Sequence, residues 1–367
     1  MILTSIELSD FRNYSHEYIE FSSGKNFFIG NNAQGKTNLL EAIYLLCLSK
    51  SFRTSHEKEA IKFFKHNFII KAVFQLDTGI GQKVILHCSQ DRGKQITVNR
   101  KRLTKISEII GKFPIVLSSP DEYNLTIGPP PGRRKFVDIL LSQIYKKYFS
   151  YLQDYHRVIQ QRNAILLRWK TYKTEITSII DPWDQRLIEI GSKIVQYRTQ
   201  FATTFSEILG QIYSKLVASN EKLTFDYKPN IEFDKIENID ESFSNKLNQK
   251  KKKEIQLGTS LTGPHRDDFI FKVNEQELKK YGSRGQHKTV LISLAIAEYK
   301  LIKEQTQEVP LILIDDLYSE IDQQRENRII ENLNDIGQVF ITATSIHDKN
   351  RKNKNDKYFF IENGKII

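Results

Sequence analysis

The chain has 367 residues, with 55 Lys or Arg against 44 Asp or Glu, a formal net charge of +11. At 39% hydrophobic and 27% charged it is composed like a folded globular protein, and it exceeds the roughly 250–300 residues that one core accommodates, which predicts two domains or one with an insertion. Its longest apolar run, residues 43–48, is shorter than the ~18 residues of a membrane span. The opening lacks the order of a signal peptide, and two cysteines, Cys47 and Cys88, cannot build a disulfide framework, so a cytoplasmic protein with buried, reduced thiols is expected.

In chain order, Ile2, Thr4, Ile6 and Leu8 alternate with Leu3, Ser5, Glu7 and Ser9, the period of a strand. Residues 26–29 form a second, short strand after the turn signal Ser22-Ser23-Gly24. Runs at 69–76, 84–87 and 95–98, separated by Asp77-Thr78-Gly79 and Asp91-Arg92-Gly93, read as an antiparallel meander. Gly128-Pro129-Pro130-Pro131-Gly132 is the strongest breaker. Beyond it Val137, Leu140, Leu141, Ile144, Tyr148, Leu152 and Tyr155 recur at helical spacing, as do Leu187, Ile190, Ile194, Tyr197, Phe201, Phe205 and Ile208. Two long amphipathic helices joined around Asp181-Pro182-Trp183 make a helical hairpin or arm. Residues 233–254 are polar and end in Lys250-Lys251-Lys252-Lys253, readable as a solvated loop or as a phosphate-contacting patch. Thereafter 290–301 is helical, 311–314 and 338–342 are apolar strands of the kind buried in a parallel sheet, and 359–366 is a hairpin around Asn363-Gly364. The layout is an α/β head built from both chain ends, 1–120 and 219–367, interrupted by a helical arm at 121–218.

The segment Gly30-Asn31-Asn32-Ala33-Gln34-Gly35-Lys36-Thr37 satisfies the phosphate-loop pattern G-x-x-x-x-G-K-[ST] in its required setting. A strand precedes it, and a helix follows with Leu39, Leu40, Ile43 and Leu46 on one face. Glycines at both ends let the backbone wrap a phosphate, and the new helix presents its positive end. Lys36 is expected to meet the β and γ phosphates and the Thr37 hydroxyl to ligate Mg²⁺. The strand 311–314 delivers Asp315 and Asp316 at its carboxyl edge. There Asp315 is expected to hold Mg²⁺ and Asp316 to polarise an attacking water. In isolation the same residues also fit an ordinary strand ending in an acidic turn.

Gly282-Ser283-Arg284-Gly285-Gln286 leads into a helix and resembles the signature motif of ABC ATPases. Physically, Ser283, Gly285 and Gln286 offer a hydroxyl and amides at a helix N-terminus, which serve equally as a structural cap. Ser319-Glu320-Ile321-Asp322 resembles the D-loop of an ABC dimer interface, and the split head resembles that of SMC and Rad50 proteins. The whole chain resembles the RecF family of bacterial recombination-repair ATPases. The motifs are Asp10-Phe11-Arg12-Asn13-Tyr14, Ser119-Pro120-Asp121-Glu122, Arg133-Arg134-Lys135-Phe136-Val137-Asp138, Gln161-Arg162-Asn163, Gly263-Pro264-His265-Arg266-Asp267-Asp268, the signature segment and the stretch from Asp315 to Asp322, all in the family's order.

The resemblance implies an SMC-like ABC ATPase head with a short helical lobe, dimerising around ATP and binding DNA, particularly at junctions of single and double strands. It also implies RecO and RecR as partners in loading RecA onto gapped DNA; a pI near 9.3 suits a polyanionic partner. Arg12 is expected at the nucleotide on the family's pattern, with a surface arginine as the competing reading. Asp316 stands where transporters have Glu, so slow hydrolysis is expected. Phe340-Ile341-Thr342-Ala343-Thr344 has no histidine, leaving the hydroxyl of Thr342 or Thr344 as γ-phosphate sensor, and no Q-loop glutamine is assigned. His265 has no second histidine at ligand spacing, so its segment reads as a loop bracing the head. A transporter-type ATP-binding subunit would need a membrane partner and leaves the arm and the charge unexplained. A nuclease-linked ABC head would need a further acidic cluster. A clamp without useful turnover stays open.

Overall fold

The computed structural model describes residues 1–172, 177–217, 220–316, 336–344 and 355–367, and Ser319 to Asp322 lie outside them. The chain forms two compact units, Met1–Tyr123 with Lys288–Ile367, and Asn124–His287. In the first, the strands before the break are β1 (Ile2–Phe11), β2 (Tyr14–Glu20), β3 (Lys25–Ile29), β4 (Asn67–Gln75), β5 (Gly81–Ser89), β6 (Gly93–Val98), β7 (Lys101–Arg102) and β8 (Ile115–Ser118), with helix α1 (Lys36–Leu48) after β3. The second unit holds helices α2 (Tyr123–Ile127, which begins at the boundary), α3 (Pro130–Ile144), α4 (Lys146–Tyr172) and α5 (Thr177–Leu216), strand β9 (Leu223–Lys228), helix α6 (Ile239–Leu257), strands β10 (Asp268–Val273) and β11 (Gln276–Glu277) and helix α7 (Leu278–Tyr281). Helix α8 (Arg284–Thr306) leads back to the first unit and to β12 (Leu311–Ile314), β13 (Val339–Ala343), β14 (Lys357–Glu362) and β15 (Lys365–Ile366).

The first unit contains two sheets. The expected meander is antiparallel, in the order β2-β1-β4-β5-β6-β7. The other sheet runs β15-β14-β3-β13-β12-β8 and is parallel from β14 to β8. Every residue of β3, β12 and β13 is buried, as expected of a parallel sheet covered on both faces. Phe21, Phe28, Phe340 and Phe359 pack edge-on and stacked over it. Helix α1 lies between the sheets, on β13 and β8 of one and on β4 and β5 of the other, so it is apolar nearly all round instead of along one stripe. Among the described residues no helix is long and apolar enough to cross a membrane.

Four local expectations are corrected. A bulge between Leu3 and Ser5 against β4 breaks the period of β1, so Leu3, Ile6 and Leu8 are buried together while Ile2 and Thr4 stay half-exposed. Pro182 lies inside α5, near its start, where a missing N–H forfeits one backbone bond, so residues 181–183 lie within a helix and do not join two. Residues 239–257 form α6, because Ile239, Phe243, Leu247 and Glu254 fall on one buried face. Residues 219–287, assigned to the head from the sequence, belong to the second unit, where β9 packs on α5 and α6 on α4 and α5.

Buried charge organises that second unit. Arg162, fully buried, donates to Asp184 at 2.6 Å, Glu254 at 2.6 Å and Ser260 at 2.7 Å. Arg198 donates to Asp138 at 2.8 Å, Asp267 at 2.7 Å and the Pro264 carbonyl at 2.7 Å. Arg133 makes a two-pronged contact with Asp268 at 2.9 and 3.0 Å. His265 sits 2.7 Å from the Tyr155 hydroxyl, and burial pulls its pKa down to about 4. The motifs at Arg133 and Asp268 are thus direct partners, and Arg198 links Asp138 of the first to Asp267 of the second, since a buried ion needs its counter-ion.

A different pair, the buried Glu298 and the half-buried Glu122, sits in the first unit. Glu298 of α8 is buried, and burial, with repulsion from Glu122 added, holds its pKa well above the ordinary 4.5. Burial pushes Glu122 up to about 8. Both carboxyls keep protons in the folded state at pH values where the unfolded chain has lost them, so stability falls as pH rises from about 4.5 towards 8. Glu298→Gln is expected to raise the thermal midpoint by a few degrees at pH 7–8, with the gain vanishing below pH 4.5; a midpoint difference independent of pH would exclude the pair as its cause.

Candidate functional site

Strand β3 ends at Ile29 and the chain turns through Gly30, Asn31, Asn32, Ala33 and Gln34 into α1. Ala33 has φ +64° and Gly35 has φ +116°. A Cβ on Gly30 would lie 2.4 Å from the Ile361 carbonyl, and one on Gly35 2.7 Å from the Asn13 amide nitrogen, so both glycines are required by close approach. Asn31, Asn32 and Ala33 are exposed. Lys36 Nζ donates back to the carbonyls of Gly30 at 2.6 Å and Asn31 at 2.8 Å. Burial lowers its pKa, opposed by Asp316 and Asp315.

Three neighbouring parallel strands bring the remaining groups to the same edge. Ile314 of β12 pairs with Ile341 of β13, and Ala343 of β13 with Ile29 of β3. Thr37 Oγ1 therefore donates to the Asp315 carboxylate, 2.9 and 3.0 Å from its two oxygens. Thr342 Oγ1 donates to Asp315 Oδ1 at 2.6 Å and accepts the Asp316 N–H at 2.7 Å. Burial raises the pKa of Asp315, and the hydroxyls of Thr342 and Thr37 counteract it. Asp316 has φ +56°, a conformation Asp tolerates better than most residues. Of the two candidate sensors Thr342 is buried against Asp315, and Thr344 is exposed. An ammonium, a hydroxyl and a carboxylate at a helix N-terminus suit a polyphosphate accompanied by a hard divalent cation.

Arg12, at φ +53°, directs all three guanidinium nitrogens to protein acceptors. Nε and an Nη reach the two oxygens of Glu41 at 2.9 and 2.6 Å, and the other Nη reaches the Glu59 carbonyl at 3.0 Å. Glu41, on α1, is fully buried and also accepts the Ser51 hydroxyl at 2.5 Å. Sequence reasoning did not find Glu41, a carboxylate inside an apolar helix whose only signal was that unexplained charge. In the second unit, Ser283 and Gln286 cap α8 reciprocally: the Ser283 N–H donates to Gln286 Oε1 at 2.8 Å, and the Gln286 N–H to Ser283 Oγ at 3.2 Å. Gly285 lies between them in the first turn, and Glu221 accepts from Gln286 Nε2 at 3.3 Å and from the Tyr213 hydroxyl at 2.6 Å.

The Arg12 pair yields a test of whether this arginine serves α1 or a ligand. Among the described residues, Arg12→Ala leaves Glu41 buried with Ser51 and Arg53 beside it, and is expected to destabilise the protein by about 3 kcal/mol in denaturant unfolding. Adding Glu41→Gln should recover most of that loss. Wild-type stability in Arg12→Ala would show that Arg12 does not anchor α1.

Comparison with known proteins matches residues 2–366 to the family model for the RecF/RecN/SMC N-terminal domain. The DNA replication and repair protein RecF of Streptococcus suis is 36% identical over 367 residues, covering 100% of this chain and 99% of that protein. That of Ruminiclostridium cellulolyticum is 35% identical over 370 residues, again with 100% and 99% covered. A solved structure of the recombination mediator protein RecF-ATP in the RecFOR pathway superposes with a TM-score of 0.92 at 31% identity, covering 100% of this chain and 96% of that one. An Smc head bound to the C-terminal winged-helix domain of ScpA shares the fold alone, with a TM-score of 0.57 at 15% identity over 100% and 97% of the chains.

Proposed function

The chain belongs to the RecF family of DNA replication and repair proteins, and on that premise we propose that it is an ATP-dependent DNA-binding protein whose nucleotide state controls dimerisation. The observation that carries this reading is the meeting of Lys36, Thr37, Asp315 and Thr342 at one edge of the parallel sheet. The relatives' names and the RecF-ATP structure support it.

Gly30 to Thr37 would wrap the phosphates of ATP, and Mg²⁺ would be held by Thr37 and Asp315. ATP supplies the phosphoanhydride whose binding and cleavage drive the switch. Lys36 transfers its ammonium from the Gly30 and Asn31 carbonyls to phosphate oxygens, where its charge offsets theirs. Thr342 keeps Asp315 oriented and, through the Asp316 N–H, sets the backbone from which the Asp316 carboxylate orients a water and accepts its proton. Aspartate reaches less far than glutamate, so turnover is slow. Ser283, Gly285 and Gln286 present a hydroxyl and amides to the γ-phosphate bound by a second subunit, making ATP part of the dimer interface. DNA, including junctions of single and double strands, binds through Lys and Arg, among them the exposed Lys250, Lys252 and Lys253 of α6. RecO and RecR act with this protein in assisting RecA loading.

The experiment is subunit complementation. Lys36→Met abolishes tight ATP binding in calorimetry, and Ser283→Arg keeps monomer ATP affinity but blocks dimerisation and turnover. In a mixed dimer the phosphate loop of Ser283→Arg meets the intact signature of Lys36→Met, so partial ATPase activity returns on mixing. ATP-dependent dimerisation of Ser283→Arg at wild-type affinity removes the signature assignment. Unchanged ATP affinity in Lys36→Met removes the phosphate-loop assignment. DNA affinity is expected to fall steeply with salt, each phosphate contact adding about −0.9 to the log–log slope on duplex DNA. A flat dependence across physiological salt, measured by fluorescence anisotropy, would exclude phosphate contacts as the main source of affinity.

A further inference from the structure

The back of the phosphate loop is held by groups that neither the loop pattern nor charge pointed to. The Gln34 carbonyl accepts from two sides, from Asn13 Nδ2 at 2.9 Å and from the Gly364 N–H at 2.9 Å. The next carbonyl, that of Gly35, accepts the buried Tyr14 hydroxyl at 3.0 Å as well as the Leu39 N–H at 3.1 Å. The Asn363 N–H closes on Gln34 Oε1 at 2.6 Å, and Asn38 Nδ2 fixes the Asn13 amide by donating to its Oδ1 at 2.8 Å. Asn363 and Gly364 have φ +50° and +73°, the turn that joins β14 to β15. This turn reaches the loop because β14 pairs in parallel with β3, Phe360 opposite Ile29, and runs two residues further, so that it turns back beside the loop that follows Ile29. A Cβ on Gly364 would stand 2.7 Å from the Asn13 carbonyl oxygen.

A trans peptide unit is planar, so its C=O and N–H point in opposite directions. Donors that hold the Gln34 and Gly35 carbonyls on one side therefore turn the amides of Gly35 and Lys36 to the other. Two successive amides so turned form an anion-binding nest at the N-terminus of α1. We propose that Asn13, Tyr14 and the Asn363–Gly364 turn are positioning residues for phosphate, setting the direction of these amides from behind the loop. This rests on the nucleotide reading of the loop and adds to it a dependence on the β14–β15 turn, whose residues carry no chemistry of their own.

The test compares wild type with Asn13→Leu, which keeps volume without the donor, and Gly364→Ala, which inserts the clashing Cβ. Lys365→Ala, an exposed neighbour in β15, is the control. Calorimetric titration with ATP and Mg²⁺ should show affinity weakened about tenfold in both variants, the scale of one charge-assisted hydrogen bond. The turnover number at saturating ATP should be unchanged, because the nest holds phosphate alike before and during reaction. Amide exchange of the full, nucleotide-free chain should speed up only across residues 34–40 and the Asn363–Gly364 turn that donates to them. Wild-type ATP affinity in both variants would overturn the proposal, as would faster exchange spread throughout the first unit, the mark of general destabilisation. If the wild type itself fails to bind ATP, the nucleotide reading falls instead. Exchange in the nucleotide-free chain still decides whether the turn orders the loop, and unchanged exchange there refutes it.

Discussion

Parallel pairing of β3 with β13, and of β13 with β12, is the constraint from which the site follows. Each strand ends at the same edge and delivers one component: the phosphate loop, Thr342 and Asp315. A parallel pair cannot be closed by a hairpin and needs a crossover. Here the connection from Thr37 to Asp315 spans 278 residues and includes the whole second unit. Closure entropy grows only logarithmically with loop length, so an insertion of this size is compatible with one cooperative sheet. Burial of all three strands on both faces supplies the opposing free energy and also places Asp315 where its charge is poorly solvated. The two threonine hydroxyls are its local compensation.

Buried charge plays a second part throughout the molecule. Arg162, Arg198 and Glu41 are fully or almost fully buried, and each is surrounded by partners drawn from distant segments. Such groups add little net stability compared with apolar replacements, yet removing one partner is costly. They specify which arrangement of helices and loops is allowed. The segments around Arg133, Arg162 and Asp267 thus have a role apart from the phosphate site: Arg133 pairs with Asp268, Arg162 with Asp184 and Glu254, and Asp267 with Arg198. The same logic ties Arg12 to α1, the helix on which the phosphate loop rests.

Much of the architecture was legible because local pattern and environment agree. Four apolar residues ending in two aspartates can hardly be anything but a buried strand with an acidic edge, and glycine-rich turn, strand and helix define the loop. Legibility failed where environment departs from pattern. The bulge after Leu3 shifts a buried face that perfect alternation would have placed on Ile2 and Thr4. Helix α6 has a narrow apolar face of three residues and a glutamate, too sparse to stand out from its lysines. The domain boundary was misplaced because nothing in the local pattern of residues 219–287 says which helices they cover, and only the packing of β9 on α5 and of β10 on β9 and α3 assigns them to the second unit.

The sequence by itself determined the elements whose cause is local: the phosphate loop, the fully apolar strands, the capped start of α8 and the helical character of the insertion. Tertiary structure alone decided who touches whom. Asn13 and Gly364 reach Gln34, and Arg12 reaches Glu41, because strand order and register place those backbones side by side. Hydrogen bonds have a reach of about 3 Å, whereas sequence patterns report only periodicity along one chain segment. Partners separated by tens or hundreds of residues leave no periodic trace, and they become visible only when the folded backbone brings them within that reach.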